Sequence, residues 1–347
     1  MKEYDSIPIL VGNSKQSQSI FYKNEKESIL TEKQVKEQIA SFLKKAKDKE
    51  KPKQVVFLGD CFSELSEEKQ EELLKVAYDA VIEGKISNIA VTTTPIGVTK
   101  EMLKRFKKYK VKTIELSFYS SNNYLLQRAG LDYTFEQIKQ VSKWIHRSGF
   151  ILGHAIKIGM PESTRIDEIN TVKESIRLHP KLVRISPVIV EKGTKLQTEY
   201  ETEEYEPLSV VQAVERCKEL VYLYHRKRIN DLHIEMPIGL TKKNVIAGPF
   251  HTEFRQLVES NIWYDSIVDR IKKYNVKVKE VEVTVNPSDM NAAIGYGKEN
   301  LKKLDELYDV TLKVVMDAKI KPGKSEMKIV ETYTDFKEDE KKEKVHK

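Results

Sequence analysis

Short apolar runs rich in β-branched and aromatic residues alternate with amphipathic stretches along the first 240 residues. The runs lie at residues 55–58, 89–92, 113–116, 150–158, 182–185 and 232–236. Such runs predict strands, and the amphipathic stretches between them predict helices. Because the runs are continuously apolar, we expect a parallel sheet covered on both faces, either doubly wound or curled into a partial barrel. In both architectures functional groups lie at the carboxyl ends of the strands.

Three of the predicted helices begin with a hydroxyl residue that is followed by Gln three positions later. The pairs are Thr31 and Gln34, Thr134 and Gln137, and Ser209 and Gln212. In this arrangement each side chain accepts a hydrogen bond from a backbone N–H that the helix itself leaves without a partner. The pattern therefore predicts three capping boxes.

The hydrophobic pattern changes after about residue 275. Val281, Val283 and Val285 alternate with polar residues, which predicts a half-buried strand. We expect a partial barrel at residues 1–240, a connecting helical segment at 241–275, and a small α+β domain at 276–330. The last segment, 331–347, is almost entirely charged and predicts a disordered tail.

Composition limits the protein class and the cellular compartment. The 347 residues are 39% hydrophobic and 33% charged, which excludes a wholly disordered chain, a collagen-like fibre and a disulfide scaffold. The two cysteines, Cys61 and Cys217, form neither a disulfide framework nor a metal-ligand pair. No run reaches the roughly 18 apolar residues of a membrane helix, so we expect a cytoplasmic protein with no membrane partner and no disulfide-linked partner. The net charge of +7 allows an anionic partner, but solubility alone also explains it.

The order of segments carries a family resemblance. IPILV, VVFLGDCFSEL, KISNIAVTTTP, VKTIELSFYS, GHAIKIGMP, LVRISPVIVEKGT and AGPFHTEFRQLVE follow one another along nearly the whole chain. Together they resemble the radical S-adenosylmethionine family of the Elongator catalytic subunit, in its short bacterial form without an acetyltransferase domain. The resemblance implies an α/β fold with a partial (β/α)6 TIM-like barrel. It also implies a [4Fe-4S] cluster, S-adenosylmethionine and tRNA as the partner.

The cluster of that family depends on the pattern C-x3-C-x2-C directly after the first strand. The resemblance aligns these three cysteines with Gln16, Ile20 and Lys23, and no cysteine precedes Cys61. An amide, an alkyl chain and an ammonium do not bind iron as a thiolate does. We therefore expect no cofactor, with the cluster and S-adenosylmethionine both lost, and we assign neither a catalytic nor a metal-binding residue.

Segments that contact S-adenosylmethionine in the resembled family are also altered. Gly-Gly-Ser-Phe corresponds to residues 59–62, Ser-Thr-Arg-Pro-Asp to residues 92–96, and Glu-Leu-Gly-Val-Gln-Ser to residues 115–120. The degenerate positions are Gly59, Asp60, Cys61, Thr94, Ile96, Glu115, Ser117 and Tyr119. Glycines and prolines that look architectural are kept, which favours a retained fold with an altered cofactor site.

The small C-terminal domain resembles a KH RNA-binding module. Its signature I-G-x-x-G-x-x-I matches residues 294–301, except that Lys298 replaces the second glycine. Glycines allow loop N–H groups to approach phosphates, so the resemblance implies RNA contacts from Gly295, Tyr296, Gly297 and Lys298. An ordinary tight turn is the alternative interpretation.

Two further features have a functional and a structural interpretation. Lys104, Arg105, Lys107 and Lys108 form a basic cluster with Phe106 and Tyr109 interleaved, which predicts either an RNA-binding surface or a solvated helix face.

His154 lies near a predicted strand without acidic or thiol neighbours at useful spacing. A hydrogen-bonded core histidine is therefore favoured over a ligand or a base.

These observations support two hypotheses. The leading one is a pseudoenzyme that binds RNA, with tRNA implied by the resemblance, or that pairs with an active relative. The alternative is an enzyme that uses the barrel mouth for non-iron chemistry on a nucleotide or a tRNA-linked substrate, with Asp60, Thr92, Thr93, Thr94, Glu115 and Tyr119 as candidates. Convergence of these side chains on a pocket would favour the enzyme. A mouth filled by Ile96, Phe118 and Tyr119 would favour the binding protein.

Overall fold

The computed structural model describes residues 4–11, 19–23, 30–46, 48–237 and 239–333. The chain forms two compact units, Met1–Thr252 and Glu253–Lys347, and each is described by itself. Among the described helices none combines the length and the apolarity needed to cross a membrane. The cytoplasmic location stays a prediction.

Parallel strands dominate the first unit. Its strands are β1 (Asp5–Leu10), β2 (Lys53–Leu58), β3 (Asn88–Thr93), β4 (Val111–Ser117), β5 (Ile151–Ile158), β6 (Leu182–Pro187), β7 (Val190–Glu191), β8 (Leu232–Ile234) and β9 (Val245–Ala247). Seven of them form one parallel sheet in the order β1-β2-β3-β4-β5-β6-β8, while β7 and β9 pair antiparallel. A doubly wound sheet reverses its strand order, whereas here each new strand joins the same edge. The structure thus confirms the curled partial barrel.

Helices connect the successive strands. They are α1 (Glu32–Lys45), α2 (Glu67–Ile82), α3 (Lys100–Lys108), α4 (Asn123–Arg128), α5 (Phe135–Arg147), α6 (Arg165–Arg177), α7 (Lys195–Glu201) and α8 (Val210–Arg226). The three predicted capping boxes are present at the starts of α1, α5 and α8. A fourth lies at α6, where Asp167 takes the place of Gln and Thr164 is the cap. Loss of such a cap costs about 1 kcal/mol.

Burial is heaviest in the middle of the sheet. All six residues of β3 are buried, which agrees with a parallel strand covered on both faces. The core includes Phe57, Phe62 and Phe106, which pack in successive ring contacts of 5.2 and 5.7 Å between centroids. Some of the polar residues that interrupt this core, among them Asp60, Thr92 and Ser117, lie near the carboxyl ends of strands, where they form the candidate site.

The second unit packs three helices on a three-stranded sheet. Its elements are α9 (Phe254–Ile271), β10 (Val278–Val285), α10 (Met290–Ile294), α11 (Glu299–Tyr308), β11 (Thr311–Met316) and β12 (Ser325–Thr332). Strand β10 lies in the centre, parallel to β11 and antiparallel to β12. The predicted alternation on β10 is confirmed, since Val281, Val283 and Val285 are fully buried. A separate C-terminal domain is therefore present.

Two segments differ from the sequence interpretation of the second unit. Helix α9, which was expected to be a connecting segment, contributes Ile267, Val268 and Ile271 to the core of this unit. Of the predicted disordered tail, Glu331 and Thr332 belong to β12. Residues 334–347 lie outside the described residues, so disorder there stays a prediction.

Candidate site at the mouth of the barrel

A buried carboxylate surrounded by hydroxyl groups forms the centre of the candidate site. Asp60 follows β2 directly, and its carboxylate accepts hydrogen bonds from the hydroxyls of Tyr22, Ser117 and Tyr119. Burial raises the pKa of Asp60, and the hydroxyl donors Ser117 and Tyr119 offset part of this rise. Gly59 precedes it with a φ of 113°, a conformation that suits glycine. Segments far apart in sequence thus meet at one carboxyl group.

Lys157 extends from β5 towards the same region. Its ammonium lies over the ring of Tyr119, 4.6 Å from the centroid, and over the ring of Phe21, 5.2 Å from the centroid. In the described ranges no carboxylate oxygen lies within 4 Å of its Nζ. Burial lowers the pKa of Lys157, and the nearby charge of Asp60 opposes this shift.

A chain of alternating charges borders the site on the side of β6 and β8. The Arg184 guanidinium contacts Glu115 through two pairs of atoms, Nε to Oε1 at 2.8 Å and Nη2 to Oε2 at 3.2 Å. Its Nη1 donates to Glu235. His233 then lies between Glu235, at 3.4 Å, and Asp231, at 3.0 Å. Hydrogen bonds to Asp231 and Glu235 raise the pKa of His233 to about 9.

A cavity of about 290 Å³ lies between these groups, and its lining includes Tyr22, Asp60, Glu115, Tyr119, Lys157, Arg184 and Glu235. Apolar walls come from Leu10, Leu58, Ala155 and Met236, and polar walls from both acidic and basic side chains. Thr92, at the end of β3, faces the cavity while only 7% exposed. Among the described residues its Oγ1 has no hydrogen-bond partner. A buried hydroxyl without a partner is costly, so this atom points to a ligand that the cavity accommodates.

The three positions aligned with cluster cysteines in the resembled family have different surroundings. Gln16 lies outside the described residues. Ile20 is a core residue, 5% exposed, whose N–H donates to the carbonyl of Ala129 at 3.0 Å. Lys23 forms an ion pair with Glu191, with Nζ 2.8 Å from Oε1, and both line the cavity.

The eight positions aligned with the S-adenosylmethionine contacts divide into two groups. Gly59, Asp60, Glu115 and Tyr119 line the cavity, and Ser117 donates to Asp60. The other three positions support the loops. Cys61 Sγ donates to the carbonyl of Val11 at 3.1 Å, and the N–H of Thr94 donates to the carbonyl of Asp60 at 2.9 Å. The carbonyl of Ile96 accepts a hydrogen bond from the hydroxyl of Ser63. Thr93, another candidate from the sequence, donates a hydrogen bond from its Oγ1 to the Oγ of Ser63.

The candidate residues therefore converge on a pocket. Asp60, Thr92, Glu115 and Tyr119 all line it. Phe118 does not fill the mouth, because its ring stacks on Phe135 at 5.6 Å and meets the edge of His154 at 4.9 Å. Thr93 and Thr94 do not line the cavity, so four of the six candidates meet there, and the choice between enzyme and binding protein stays a hypothesis.

Four functional groups escaped the sequence interpretation. Tyr22 and Glu235 were assigned no role, and Arg184 was seen only as part of the family-like segment LVRISPVIVEKGT. Lys157 did carry a signal, since a lysine in the apolar strand GHAIKIGMP interrupts a run that is otherwise suited to burial. Its position two residues beyond Ala155, which also lines the cavity, follows from the period of two in a strand.

His154 is a core histidine, as the sequence favoured. It is fully buried, with Nδ1 2.8 Å from Ser175 Oγ and Nε2 3.2 Å from Ser142 Oγ. Burial lowers its pKa to about 3, so the ring is neutral at physiological pH. It therefore holds helices against β5 and does not reach the cavity.

The basic cluster on α3 is partly structural. Phe106 is fully buried and Tyr109 is 8% exposed, so neither ring is available to stack on an RNA base. The Arg105 side chain is 10% exposed, pairs with Glu67 and donates to Gln70 at 2.9 Å. Lys104, Lys107 and Lys108 are exposed, and an RNA contact by them stays a prediction.

The glycine loop of the second unit joins α10 to α11. Gly295, Gly297 and Lys298 all have positive φ angles, of 87°, 60° and 64°. The side-chain amide of Asn300 donates hydrogen bonds to the carbonyls of Ala292 and Ala293. The backbone N of Asn300 lies only 2.7 Å from a Cβ built on Gly295. Nothing lies within 4 Å of a Cβ built on Gly297. The first glycine is thus required by packing, whereas the second faces open space.

Comparison with known families identifies the barrel. A sequence model of the Radical SAM superfamily matches residues 21–174, and one of the Radical_SAM C-terminal domain matches residues 180–264. Together they span more than half of the chain. The chain belongs to the radical SAM superfamily. A comparison with curated proteins finds no significant match.

Solved structures of this superfamily share the fold. The structure of Elp3 from the archaeon Methanocaldococcus infernus, with residues 1–46 deleted, is 17% identical with a TM-score of 0.58, covering 76% of this chain and 63% of that chain. HydG, a maturase of the [FeFe]-hydrogenase, is 13% identical with a TM-score of 0.53, covering 72% and 53%. This chain thus spans less than two thirds of either protein, and identities this low show the fold alone.

The expectation that the protein needs no cofactor is wrong for the superfamily to which the chain belongs. Radical SAM proteins carry a [4Fe-4S] cluster and S-adenosylmethionine. The residues of this chain do not fit a cluster held by three thiolates, because the sequence contains only Cys61 and Cys217. Cys61 Sγ donates a hydrogen bond to the carbonyl of Val11. Cys217 is fully buried in α8, where burial raises the pKa of its thiol. Asp60, which lines the cavity, offers a carboxylate of the kind that binds an ammonium group.

Proposed function

We propose that the protein is an enzyme whose working site is the barrel mouth, where it performs non-iron chemistry on a nucleotide-like ligand. The observation that carries this proposal is the unpartnered Oγ1 of Thr92, buried in the wall of the cavity that Asp60 also lines. A natural fold satisfies nearly all of its buried polar groups, so an exception in a cavity wall calls for an explanation, and a ligand that completes the hydrogen bond is one.

S-adenosylmethionine is the ligand to test first. In the resembled family the segment aligned with residues 59–62 approaches the methionyl amino group, and in this chain that segment carries Asp60. A carboxylate forms a stronger, charge-assisted hydrogen bond with an ammonium than a hydroxyl does. The cavity volume of about 290 Å³ lies near the lower end of the range for small-molecule sites.

Calorimetric titration of the full chain with S-adenosylmethionine, S-adenosylhomocysteine and ATP tests the proposal. We expect one bound nucleoside per chain, with the affinity lowered about tenfold or more in Asp60→Asn, which equals about 1.4 kcal/mol. Asp132→Asn is the matched control, because this carboxylate is exposed between α4 and α5. Absence of binding for all three compounds in a folded wild-type protein would refute the proposal.

RNA binding by the second unit is a second candidate function. It is supported by the open approach to Gly297 and by the exposed ring of Tyr296, which is 42% accessible. Loop N–H groups at such a position can contact phosphate, and Lys298 adds a positive charge. Under this proposal tRNA is the expected RNA, and a related active subunit is the alternative partner.

The enzyme and the pseudoenzyme differ in one measurable property. An enzyme converts the bound ligand, whereas a pseudoenzyme returns it unchanged. Incubation with the ligand that binds, with and without tRNA, followed by chromatography of the small molecules, distinguishes them. Conversion in wild type that is lost in Asp60→Asn supports the enzyme, while complete recovery of the ligand supports the pseudoenzyme.

A further inference from the structure

Lys157 differs from the other cationic residues that line the cavity. Lys23 pairs with Glu191 at 2.8 Å, and Arg184 is held by Glu115 and Glu235. The ammonium of Lys157 instead rests on two aromatic faces, and over the described part of the chain no carboxylate pairs with it. Among the described residues, the charge that favours its ammonium form is that of Asp60. This lysine is therefore held in place without being neutralised by a bonded partner.

The surroundings of Lys157 favour a reactive amine. Burial disfavours the ammonium form and lowers the pKa of this side chain, which increases the fraction of neutral amine at neutral pH. A lysine acts as a nucleophile only through this neutral form. The rings of Phe21 and Tyr119, whose centroids are 6.1 Å apart, restrict where the Nζ atom lies. The amine is thus both available and positioned.

Groups that exchange protons line the same cavity. The Asp60 carboxyl, whose pKa is raised by burial, is bonded to the hydroxyls of Tyr22 and Tyr119. Such a network can receive a proton from an amine that has reacted and return it to a leaving oxygen. The hydroxyl of Thr92 is free to donate to an oxygen atom of a ligand. These are the groups that addition of an amine to a carbonyl requires.

We propose that Lys157 captures an aldehyde or ketone as an imine. The Nζ lone pair adds to the carbonyl carbon, and the carbonyl oxygen takes a proton to give a carbinolamine. Nitrogen then passes one proton to the surrounding hydroxyl and carboxyl groups. The carbinolamine hydroxyl takes a second proton from these groups and leaves as water while the nitrogen lone pair forms the C=N bond, and nitrogen returns its last proton to the same groups to give the neutral imine. The sequence consumes no oxidant or reductant. This inference rests on the proposed function, because it names the reaction class of the same cavity.

Reductive trapping in the full chain tests the inference. The protein is incubated at pH 7 with propanal and cyanoborohydride, which reduces an imine to a stable secondary amine, and the modified lysines are then mapped by peptide mass spectrometry. Lys107 is an internal control, because its Nζ also lies over a ring, that of Phe150 at 4.4 Å, but on an exposed helix. We expect Lys157 to be modified about tenfold faster or more, because its lowered pKa leaves more of the amine neutral at pH 7.

Two variants show which groups the modification depends on. Lys157→Met should abolish the modification at this position, and Tyr119→Phe should slow it by removing a proton-exchanging hydroxyl while keeping the ring under the ammonium. If Lys157→Met does not fold, the comparison of Lys157 with Lys107 in wild type still decides the question. Equal modification of the two lysines would overturn the inference.

The same samples distinguish the inference from the proposed function. Equal labelling in a protein that binds S-adenosylmethionine overturns the imine chemistry and leaves the nucleotide site in place. Selective labelling of Lys157 in a protein that binds no nucleoside supports the imine chemistry and overturns the nucleotide site. Selective labelling that the bound nucleoside suppresses supports both, since one cavity then serves both ligands.

Discussion

Glu115 on β4 and Arg184 on β6 form a two-point ion pair across β5, with contacts of 2.8 and 3.2 Å. Gly153, the residue of β5 opposite Glu115, leaves room for the glutamate side chain, because a Cβ there would lie 3.2 Å from the Cβ and Cγ of Glu115. The geometry links three neighbouring strands at the edge of the cavity.

Removal of one partner of this pair should be costly. The Glu115 side chain is only 5% exposed, so Arg184→Met leaves a buried carboxylate without its cation, at an expected cost of about 3 kcal/mol or more. Arg177→Met is the control, since Arg177 is 70% exposed in its pair with Glu174 and should cost less than about 1 kcal/mol. Urea unfolding measures both. Equal destabilisation would contradict the assigned role of the buried pair.

Thr92 and Thr93 offer a matched comparison of two buried hydroxyls. Thr93 Oγ1 donates to Ser63 Oγ at 2.7 Å and accepts from the Ser63 N–H at 3.0 Å, so Thr93→Val should destabilise the fold by about 1–3 kcal/mol. Thr92→Val removes a hydroxyl without a partner in the described structure, so it should leave the melting temperature unchanged or raise it.

The same Thr92→Val substitution should weaken ligand binding, although it leaves the melting temperature unchanged or raises it. Loss of one hydrogen bond to a bound ligand costs about 1 kcal/mol, or roughly fivefold in Kd. Calorimetric titration with S-adenosylmethionine checks this value. A Thr92→Val protein that is less stable than wild type, with unchanged ligand affinity, would show that the hydroxyl serves the fold.

His233 should make the stability of the first unit depend on pH. Asp231 and Glu235 raise its pKa to about 9, above the ordinary value of 6.5, so the folded state binds the proton more tightly than the unfolded state. This contribution is fully present below pH 6.5 and is lost as the pH rises through 9. About 1 kcal/mol is expected, because a third of the side chain is exposed and solvent screens the interaction.

Chemical denaturation at pH 6, 7.5 and 9.5 measures this loss. His233→Gln should flatten the profile, whereas His146→Gln, on the exposed side of α5, should keep the wild-type slope. A profile of identical slope in wild type and His233→Gln would mean that the neighbouring carboxylates do not hold the proton on this ring.

The two glycines of the loop between α10 and α11 should respond differently to a carboxylate. Gly295→Asp places Cβ against the backbone of Asn300 and should destabilise the second unit by about 2 kcal/mol or more. Gly297→Asp meets no neighbour and keeps a left-handed conformation that Asp tolerates, so it should cost about 1 kcal/mol or less. Thermal unfolding of the full chain compares them.

RNA binding then separates the two interpretations of this loop. Gly297→Asp should weaken tRNA binding, more strongly at low salt, because it brings a negative charge to the place where phosphate would approach. Gly323→Asp is the control, since it has a similar φ of 72° and open space in another loop of the same unit. Equal affinities for wild type, Gly297→Asp and Gly323→Asp would contradict the RNA-binding proposal.

Much of the fold follows from local signals in the sequence. The strands around Val55 and Ile89 and the caps at Thr31 and Ser209 were predicted because burial on both faces and helix capping leave patterns within a few residues. The cap at Thr164 was missed because Asp167 performs the task that Gln performs elsewhere. Helix α9 was assigned to a linker because the apolar stripe of a helix does not reveal which sheet it will cover.

The site was predicted only where it coincides with the ends of strands. Asp60, Thr92, Glu115 and Tyr119 follow or end strands, and the carboxyl ends of parallel strands meet at one edge. Tyr22 reaches Asp60 from 38 positions away, and this pairing depends on tertiary structure. The burial of Phe106 and Tyr109 was missed for the related reason that a basic helix still needs an apolar face.

Residues 19–23 now have structural roles at the positions where the resembled family has cluster cysteines. Ile20 fills part of the core, Tyr22 is tied to Asp60, and Lys23 is tied to Glu191. A graft of three thiols into positions 16, 20 and 23 would therefore also open a gap in the interior and leave the Glu191 carboxylate without its lysine partner. Engineering iron chemistry into this barrel would demand a rebuilt wall as well as new sulfur atoms.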